Sequence, residues 1–349
     1  MDPILRPSDA TNLAAQDTGR EHLSHSRISM FLACHRKYEL HYEERLERID
    51  KRESLEMGKA FQKAIELQDP DVGPLMLDGW TEWVPPGAYG VGNLGSQGYS
   101  CYLRPPRELP VFHTQEAEDK HRINQAIVRA AAALYLRKWP TPVGETREFG
   151  YRVRLRNPWT GHYSRTFDLE GYADGIVDNQ TPVDTGSYYI AALELVENKL
   201  VGRVDSVMVQ RLPLDRQLAL ARYGIWRATG RPVSVVHYRW IKKPSIKPRQ
   251  KESVSEFIER LEADYEERED FYAYEPPPTF VPTTDLLRVE CELWTWAEQL
   301  RALRRQRIYD RNTSACSDYG GCQFIPICSG DPDAMSLYQE RPEREETRA

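Results

Sequence analysis

The chain has 349 residues, 40% hydrophobic and 29% charged, enough to bury a substantial core as one large domain or one domain with appendages. Its 47 Lys and Arg against 53 Asp and Glu give a net charge of -6, which excludes indiscriminate nucleic-acid binding but leaves room for a local basic groove. No run approaches the roughly 18 apolar residues of a membrane helix, and the N-terminal residues lack a basic-then-apolar signal, so a cytoplasmic setting is expected.

Residues 1–24 are polar and aperiodic and are expected to form a disordered arm. A helix is predicted from Ser26, a good N-cap, because Ile28, Phe31, Tyr38, Tyr42 and Leu46 recur at near-helical spacing. A second helix is expected over 54–67, with Leu55, Phe61 and Ile65 as its apolar stripe. Residues 70–110 hold seven Gly and seven Pro, which reads as a loop-rich insertion. A helix over 115–138 precedes two strands, 151–156 and 166–177, separated by the turn signal Asn157-Pro158-Trp159-Thr160-Gly161. Then come a strand over 188–200, a helix over 214–229, a strand over 232–241, charged helices over 253–271 and 284–308, and a charged tail over 331–349. This order predicts an α/β fold with a mixed sheet flanked by helices.

The chemistry concentrates in two short signals, Asp174 in LEGYADGIVD and Glu197-Asn198-Lys199 in LELVENKL. On a strand, Glu197 and Lys199 project to one side and Asn198 to the other. If the strand of Asp174 is a neighbour, Asp174 and Glu197 can share Mg²⁺ or Mn²⁺, which favour oxygen donors. A metal with a nearby cation such as Lys199 is what phosphodiester hydrolysis requires. Glu-x-Lys also arises by chance on solvent-facing strands, but Leu193, Leu195 and Leu200 make these surroundings apolar. Glu194 lacks a lysine two residues on, so Glu197 is the acidic residue chosen.

Six cysteines are too sparse for a disulfide scaffold in a reducing compartment. Cys34 and the late group Cys316, Cys322 and Cys328 read instead as four thiolates of one centre, for which zinc and iron-sulfur are both suited. Cys101 and Cys291 lie outside that set and are expected to be ordinary thiols. The basic stretch Lys242, Lys243, Lys247 and Arg249, at a strand end entering a Pro-containing loop, reads as a DNA-contact segment or a solvated turn. Arg301, Arg304, Arg305 and Arg307 form a second basic cluster.

These residues resemble the PD-(D/E)XK nuclease superfamily in its RecB-like branch over most of 26–330. The resemblance implies a restriction-endonuclease-like core with Asp174 on the second strand, Glu197 and Lys199 on the third, and Gln217 on the following helix near the site. It also implies metal ligation by Asp174, Glu197 and the Asn198 backbone. Relatives often carry a His where Gln62 stands, and a Tyr one turn after the Gln, whereas Tyr223 lies six residues on; neither is carried over. Cys34 in LACHRKYEL resembles the early cysteine of the iron-sulfur members, which include CRISPR-adaptation and phage-encoded exonucleases. The late spacing is longer than the familiar one, and the resemblance implies a 4Fe-4S cluster held by Cys34, Cys316, Cys322 and Cys328, with 312–330 as its late binding segment and the cluster closing the fold. A metal-dependent exonuclease acting on DNA, with partners in recombination or replication, is the implied function. A catalytically decayed DNA-binding protein, a partner-dependent processing nuclease and a zinc-stabilised module are the alternatives.

Overall fold

The structure, a computed structural model, describes residues 19–49, 53–83, 102–104, 106, 110, 112, 114–140, 145–178, 182–184, 189–282 and 285–341. β1 (Glu21–Leu23) leads into α1 (His25–Ala33), capped by Ser24, whose Oγ accepts the Arg27 N–H at 3.3 Å. The single helix predicted from Ser26 is broken at Cys34, whose backbone is extended, and resumes as α2 (His35–Tyr38) and a π-helical turn over Glu39–Glu43. The break presents the Cys34 thiol to the C-terminal segment, where the Asn312 N–H donates to its Sγ at 3.4 Å. β2 (Leu46–Arg48), α3 (Glu53–Glu66), α4 (Val72–Leu77), β3 (Thr81–Trp83) and β4 (Tyr102–Arg104) follow. The Gly- and Pro-rich region therefore carries a short helix and an antiparallel strand pair; Cys101 lies outside the described residues.

α5 (Gln115–Lys138) occupies the predicted span. Thr114 Oγ1 accepts the Ala117 N–H at 3.2 Å, and Glu116 and Glu118 in the first turn with Arg137 and Lys138 in the last complement the helix dipole. β5 (Glu145–Arg156) and β6 (Tyr163–Val177) outrun the predicted strands because they pair with each other almost end to end. Their turn is held by Asn157, whose Oδ1 accepts the Trp159 and Thr160 N–H groups. β7 (Pro182–Asp184) and β8 (Tyr189–Ala191) make a small hairpin, so the strand predicted over 188–200 is split before β9 (Leu193–Val201). α6 (Ser206–Arg211) was not predicted; α7 (Arg216–Thr229) starts at the Asp215 N-cap and stops at Gly230, which has φ +73°. β10 (Val233–Lys242), α8 (Val254–Glu267), α9 (Glu269–Tyr272), β11 (Ala273–Tyr274), β12 (Thr279–Phe280), α10 (Asp285–Gln306), α11 (Ile325–Ser329) and β13 (Tyr338–Glu340) complete the described chain.

The main sheet is mixed, as expected: β5, β6 and β9 are antiparallel in turn, and β9 and β10 run parallel. Two segments at the edges of the expected domain take on structure. β1 pairs in parallel with Phe167–Leu169 of β6, so the arm over 1–24 becomes sheet by Glu21. β13 pairs with β2, so the tail over 331–349 is folded through Glu340. Both segments are short and take their order from distant partners, a signal absent from local periodicity.

Helices cover both faces of the sheet. On one face α1, α7 and α10 pack on Leu193, Leu195, Val236, Tyr238 and Trp240. On the other α3, α5 and α8 pack on Ile241 and Leu200. Tyr151 of β5 lies between two glycines: a Cβ at Gly171 would meet its hydroxyl at 2.3 Å, and one at Gly224 its ring carbons at 2.2 Å. Only glycine lets α7 approach the sheet this closely.

Candidate active site

β9 alternates as expected. Glu197 and Lys199 face α7, and Asn198 faces α5, where its Oδ1 accepts the Tyr135 hydroxyl at 2.7 Å. β6 is the neighbour of β9, paired from Gly175 opposite Val196 to Val177 opposite Glu194. At the next residue the main-chain ladder gives way to a side chain: Asp174 Oδ2 accepts the Asn198 N–H at 2.8 Å. The cause is visible in β6, where Ala173 and Ile176 both enter the same core cluster, so the alternation slips by one at Asp174 and Gly175.

Glu197, Lys199 and Gln217 close a triangle. Lys199 Nζ lies 2.7 Å from Glu197 Oε1 and donates to Gln217 Oε1 at 2.9 Å, while Gln217 Nε2 donates to Glu197 Oε1 at 2.8 Å. Gln217 is placed there by the Asp215 cap, whose Oδ1 accepts its backbone N–H at 2.8 Å. Burial pushes the Glu197 carboxyl up, against the opposing pull of Lys199 and Gln217. Burial raises Asp174 well above the usual range too, aided by the charge of Glu197 and opposed by the Asn198 N–H. Burial works against the Lys199 ammonium, but Glu197 outweighs it and keeps the lysine more firmly charged than usual. The side chain of Lys199 is 36% exposed and that of Glu197 4%, so the cation is the part of the pair a ligand can reach.

Three further groups gather here that the sequence did not single out. Asp215 acts electrostatically on both Glu197 and Lys199; an Asp just before an apolar helix is a cap signal that would have found it. Burial lowers His25, the first residue of α1, with Asp215 opposing and Lys199 and Arg216 reinforcing the shift; its Nε2 is 2.9 Å from Ser29 Oγ. Glu148 of β5 has the left-handed φ of +52° and raises Asp174 through its charge. Lys63 of α3 is ion-paired to both Glu148, at 3.3 Å, and Glu66. Burial raises Glu66, reinforced by Glu148 beside it. Nothing in a charged strand announces a left-handed residue, so Glu148 was not legible.

The remaining sequence candidates separate. Gln62 lies half-buried on α3, with no side-chain hydrogen-bond partner among the described residues. Tyr223 is fully buried and donates to Glu290 Oε1 at 3.1 Å, within the core. Lys242 stacks on Phe271, 3.8 Å from the ring centroid. Lys243 and Lys247 line an open hollow of about 340 Å³ with Met57, Ile127 and Phe257, and Arg249 is exposed beyond it. Arg301 donates to Ser164 Oγ at 3.0 Å and Arg304 pairs with Glu21 and Glu43, so these two cations bind the terminal segments to the sheet. Next to the triangle, Asp215, Arg216 and Tyr238 open onto a groove of about 400 Å³, where the Arg216 guanidinium sits 5.5 Å from the Trp296 ring.

Cys34, Cys322 and Cys328 lie near one another. Cys322 and Cys328 pack on Leu40, Phe324 and Tyr338, the Cys322 N–H donates to the Cys316 carbonyl at 2.7 Å, and the Cys328 thiol, raised by burial, also senses Cys322 and Cys34. Among the described residues no three or more His, Cys, Asp or Glu side chains are arranged to hold a metal ion. Cys291 is half-exposed on α10.

A mixed sheet carrying an acidic residue on one strand and Glu-x-Lys on its neighbour defines a nuclease core. The chain belongs to the PD-(D/E)XK nuclease superfamily, whose family model matches residues 22–329. Among curated proteins, none matches the chain. Nucleases of this superfamily generally use Mg²⁺ or Mn²⁺, and among the described residues no helix is long and apolar enough to cross a membrane.

Proposed function

We propose that the chain is a metal-dependent DNA exonuclease of recombination, replication or repair, with Asp174, Glu197 and the Asn198 backbone carbonyl as donors to Mg²⁺ or Mn²⁺. The observation that carries this reading is the Glu197–Lys199–Gln217 triangle beside the Asp174 carboxylate, where β6 and β9 part. The donor set fits a hard cation: two carboxylates whose burial disfavours their charge gain from a divalent partner. Such an ion, when bound, polarises the phosphoryl oxygen. Lys199 offsets negative charge growing on the phosphate, and Gln217 fixes both Lys199 and Glu197 so that neither has to reorganise.

Lys243, Lys247 and Arg249 serve the DNA backbone in this reading, and Lys242, already stacked on Phe271, serves it least. Cys34, Cys316, Cys322 and Cys328 hold a 4Fe-4S cluster as a structural clasp in this reading, supported by the nearness of Cys328 to Cys34 and Cys322 and by the backbone bond from Cys322 to Cys316. Broad visible absorption with matching iron and sulfide is the expected result for anaerobically purified protein; a colourless, zinc-loaded protein would replace the cluster with zinc.

The functional test is cleavage of end-labelled linear DNA with Mg²⁺ or Mn²⁺ by wild type and Lys199→Ala. Metal-dependent ladders that vanish in the variant are expected. A folded, cluster-loaded wild type that cuts with neither metal would favour a DNA-binding or partner-dependent role.

A further inference from the structure

We propose that the groove beside α7 is a nucleotide subsite, in which a base of the DNA strand being cut lies against Trp296 and a phosphate of that strand is held by Arg222. The inference rests on the nuclease reading of Glu197 and Lys199 and adds to it the course of the strand. The groove, about 400 Å³, lies between α7, β10 and α10. Asp215, Ala219 and Arg222, spaced four and three residues apart, bring one face of α7 to it, while Gln217 turns to the triangle from another face. Tyr238 also lines the groove and pairs with Glu197 in the parallel ladder of β9 and β10. The groove therefore begins one strand spacing, about 4.8 Å, from the catalytic carboxylate.

Arg222 carries the argument. It is 4% exposed, yet among the described residues no carboxylate forms an ion pair with it and its Nε has no hydrogen-bond acceptor. One Nη donates to the Pro282 carbonyl at 2.9 Å. Burial pushes Arg222 down to about 10, with Asp285 and Tyr238 opposing. A buried cation without a paired anion is costly, and a phosphate supplies both the missing charge and the missing acceptor. The acids that share the groove are already engaged. Asp215 Oδ1 accepts the Gln217 N–H at 2.8 Å, and Arg288 stands between Asp285, at 3.6 Å, and Glu292, at 3.9 Å. Near the entrance the Arg216 guanidinium sits 5.5 Å from the Trp296 ring and Leu214 is 77% exposed, so a flat base meets an aromatic face, a cation and an aliphatic edge.

The test is calorimetric binding of 5′-phosphorylated tetrathymidylate, in EDTA so that nothing is cut, to wild type, Arg222→Met, Trp296→Leu and Arg216→Gln. Arg222→Met and Trp296→Leu are each expected to weaken binding about tenfold, and Arg216→Gln severalfold. Methionine keeps much of the side-chain bulk and removes a buried charge, so Arg222→Met should melt within a few degrees of wild type. Arg216 is exposed, so Arg216→Gln probes the groove without touching the core. A lowered Tm with unaltered binding in Arg222→Met would make Arg222 a structural residue and overturn its role. Affinity within twofold of wild type in all three variants, or no binding by wild type, would overturn the subsite. Thymidine 5′-monophosphate should bind more weakly than the tetramer; equal affinity would assign the groove to a released nucleotide and overturn the strand path. Cleavage by wild type is read separately: loss of the subsite with metal-dependent cutting intact leaves the nuclease standing, whereas a wild type that cuts with neither metal overturns the nuclease reading whatever the groove binds.

Discussion

Gly224→Ala tests the packing that brings α7 to the site. The added methyl would lie 2.2 Å from two ring carbons of Tyr151, and that ring is itself pinned by Gly171 on its other side. Ordinary carbon contact needs about 3.5 Å, so helix or ring must give by about 1.3 Å. Overpacking a buried position this tightly costs about 3 kcal/mol, against about 1 kcal/mol gained from alanine's helix propensity. The net loss of about 2 kcal/mol should lower Tm by about 3 °C. The two hydrogen bonds of Gln217 to Lys199 and Glu197, at 2.9 and 2.8 Å, do not survive a helix shift of that size, so cleavage should fall by as much as ~10²-fold. Thermal melts and cleavage rates of Gly224→Ala, alone and with Tyr151→Leu, measure this. If Gly224→Ala raises Tm, helix propensity outweighs the clash and the reasoning fails.

Lys199→Ala should abolish cleavage and cost about 1–2 kcal/mol by chemical denaturation, less than the loss of a fully buried ion-pair partner because the lysine is partly solvated. Gln217→Ala should slow single-turnover cleavage about tenfold with unchanged DNA affinity; equal losses in both would place Gln217 in DNA binding instead. Burial raises Asp174 and Glu197, so a metal must displace protons as pH falls: Mn²⁺ affinity should weaken on acidification, and a flat profile in calorimetry would contradict the site. His237 is raised by its bond to Glu275, with burial opposing and Glu194 adding to the rise. The stability it adds is complete below about pH 6.5 and is lost as pH rises through its higher folded value, so the fall in Tm across that window should flatten in His237→Gln.

Local chemistry made much of the fold readable. α5 occupies its predicted span because caps, dipole charges and apolar spacing agree. Asp174, Glu197 and Lys199 could be singled out because a strand's period of two and a short charged motif survive without tertiary information, whereas Gln217 was named only through the family resemblance. What escaped depends on partners far along the chain: β1 on β6, the break at Cys34 that serves the contact with Asn312, and β13 on β2. Glu148 escaped for another reason, since a glutamate gives no sign that its backbone will turn left-handed.

The clasp between the chain's two ends has a consequence for synthesis. β2 finds its only strand partner among the described residues in β13, and Glu21 finds Arg304 across 283 residues. During translation the sheet strands emerge long before these contacts can form, so the nascent protein holds a sheet core with an unsealed seam. Ribosome-bound chains stopped before Thr313 should therefore be open to proteolysis around α1 and α2, and release of the last segment should close that window in one late step.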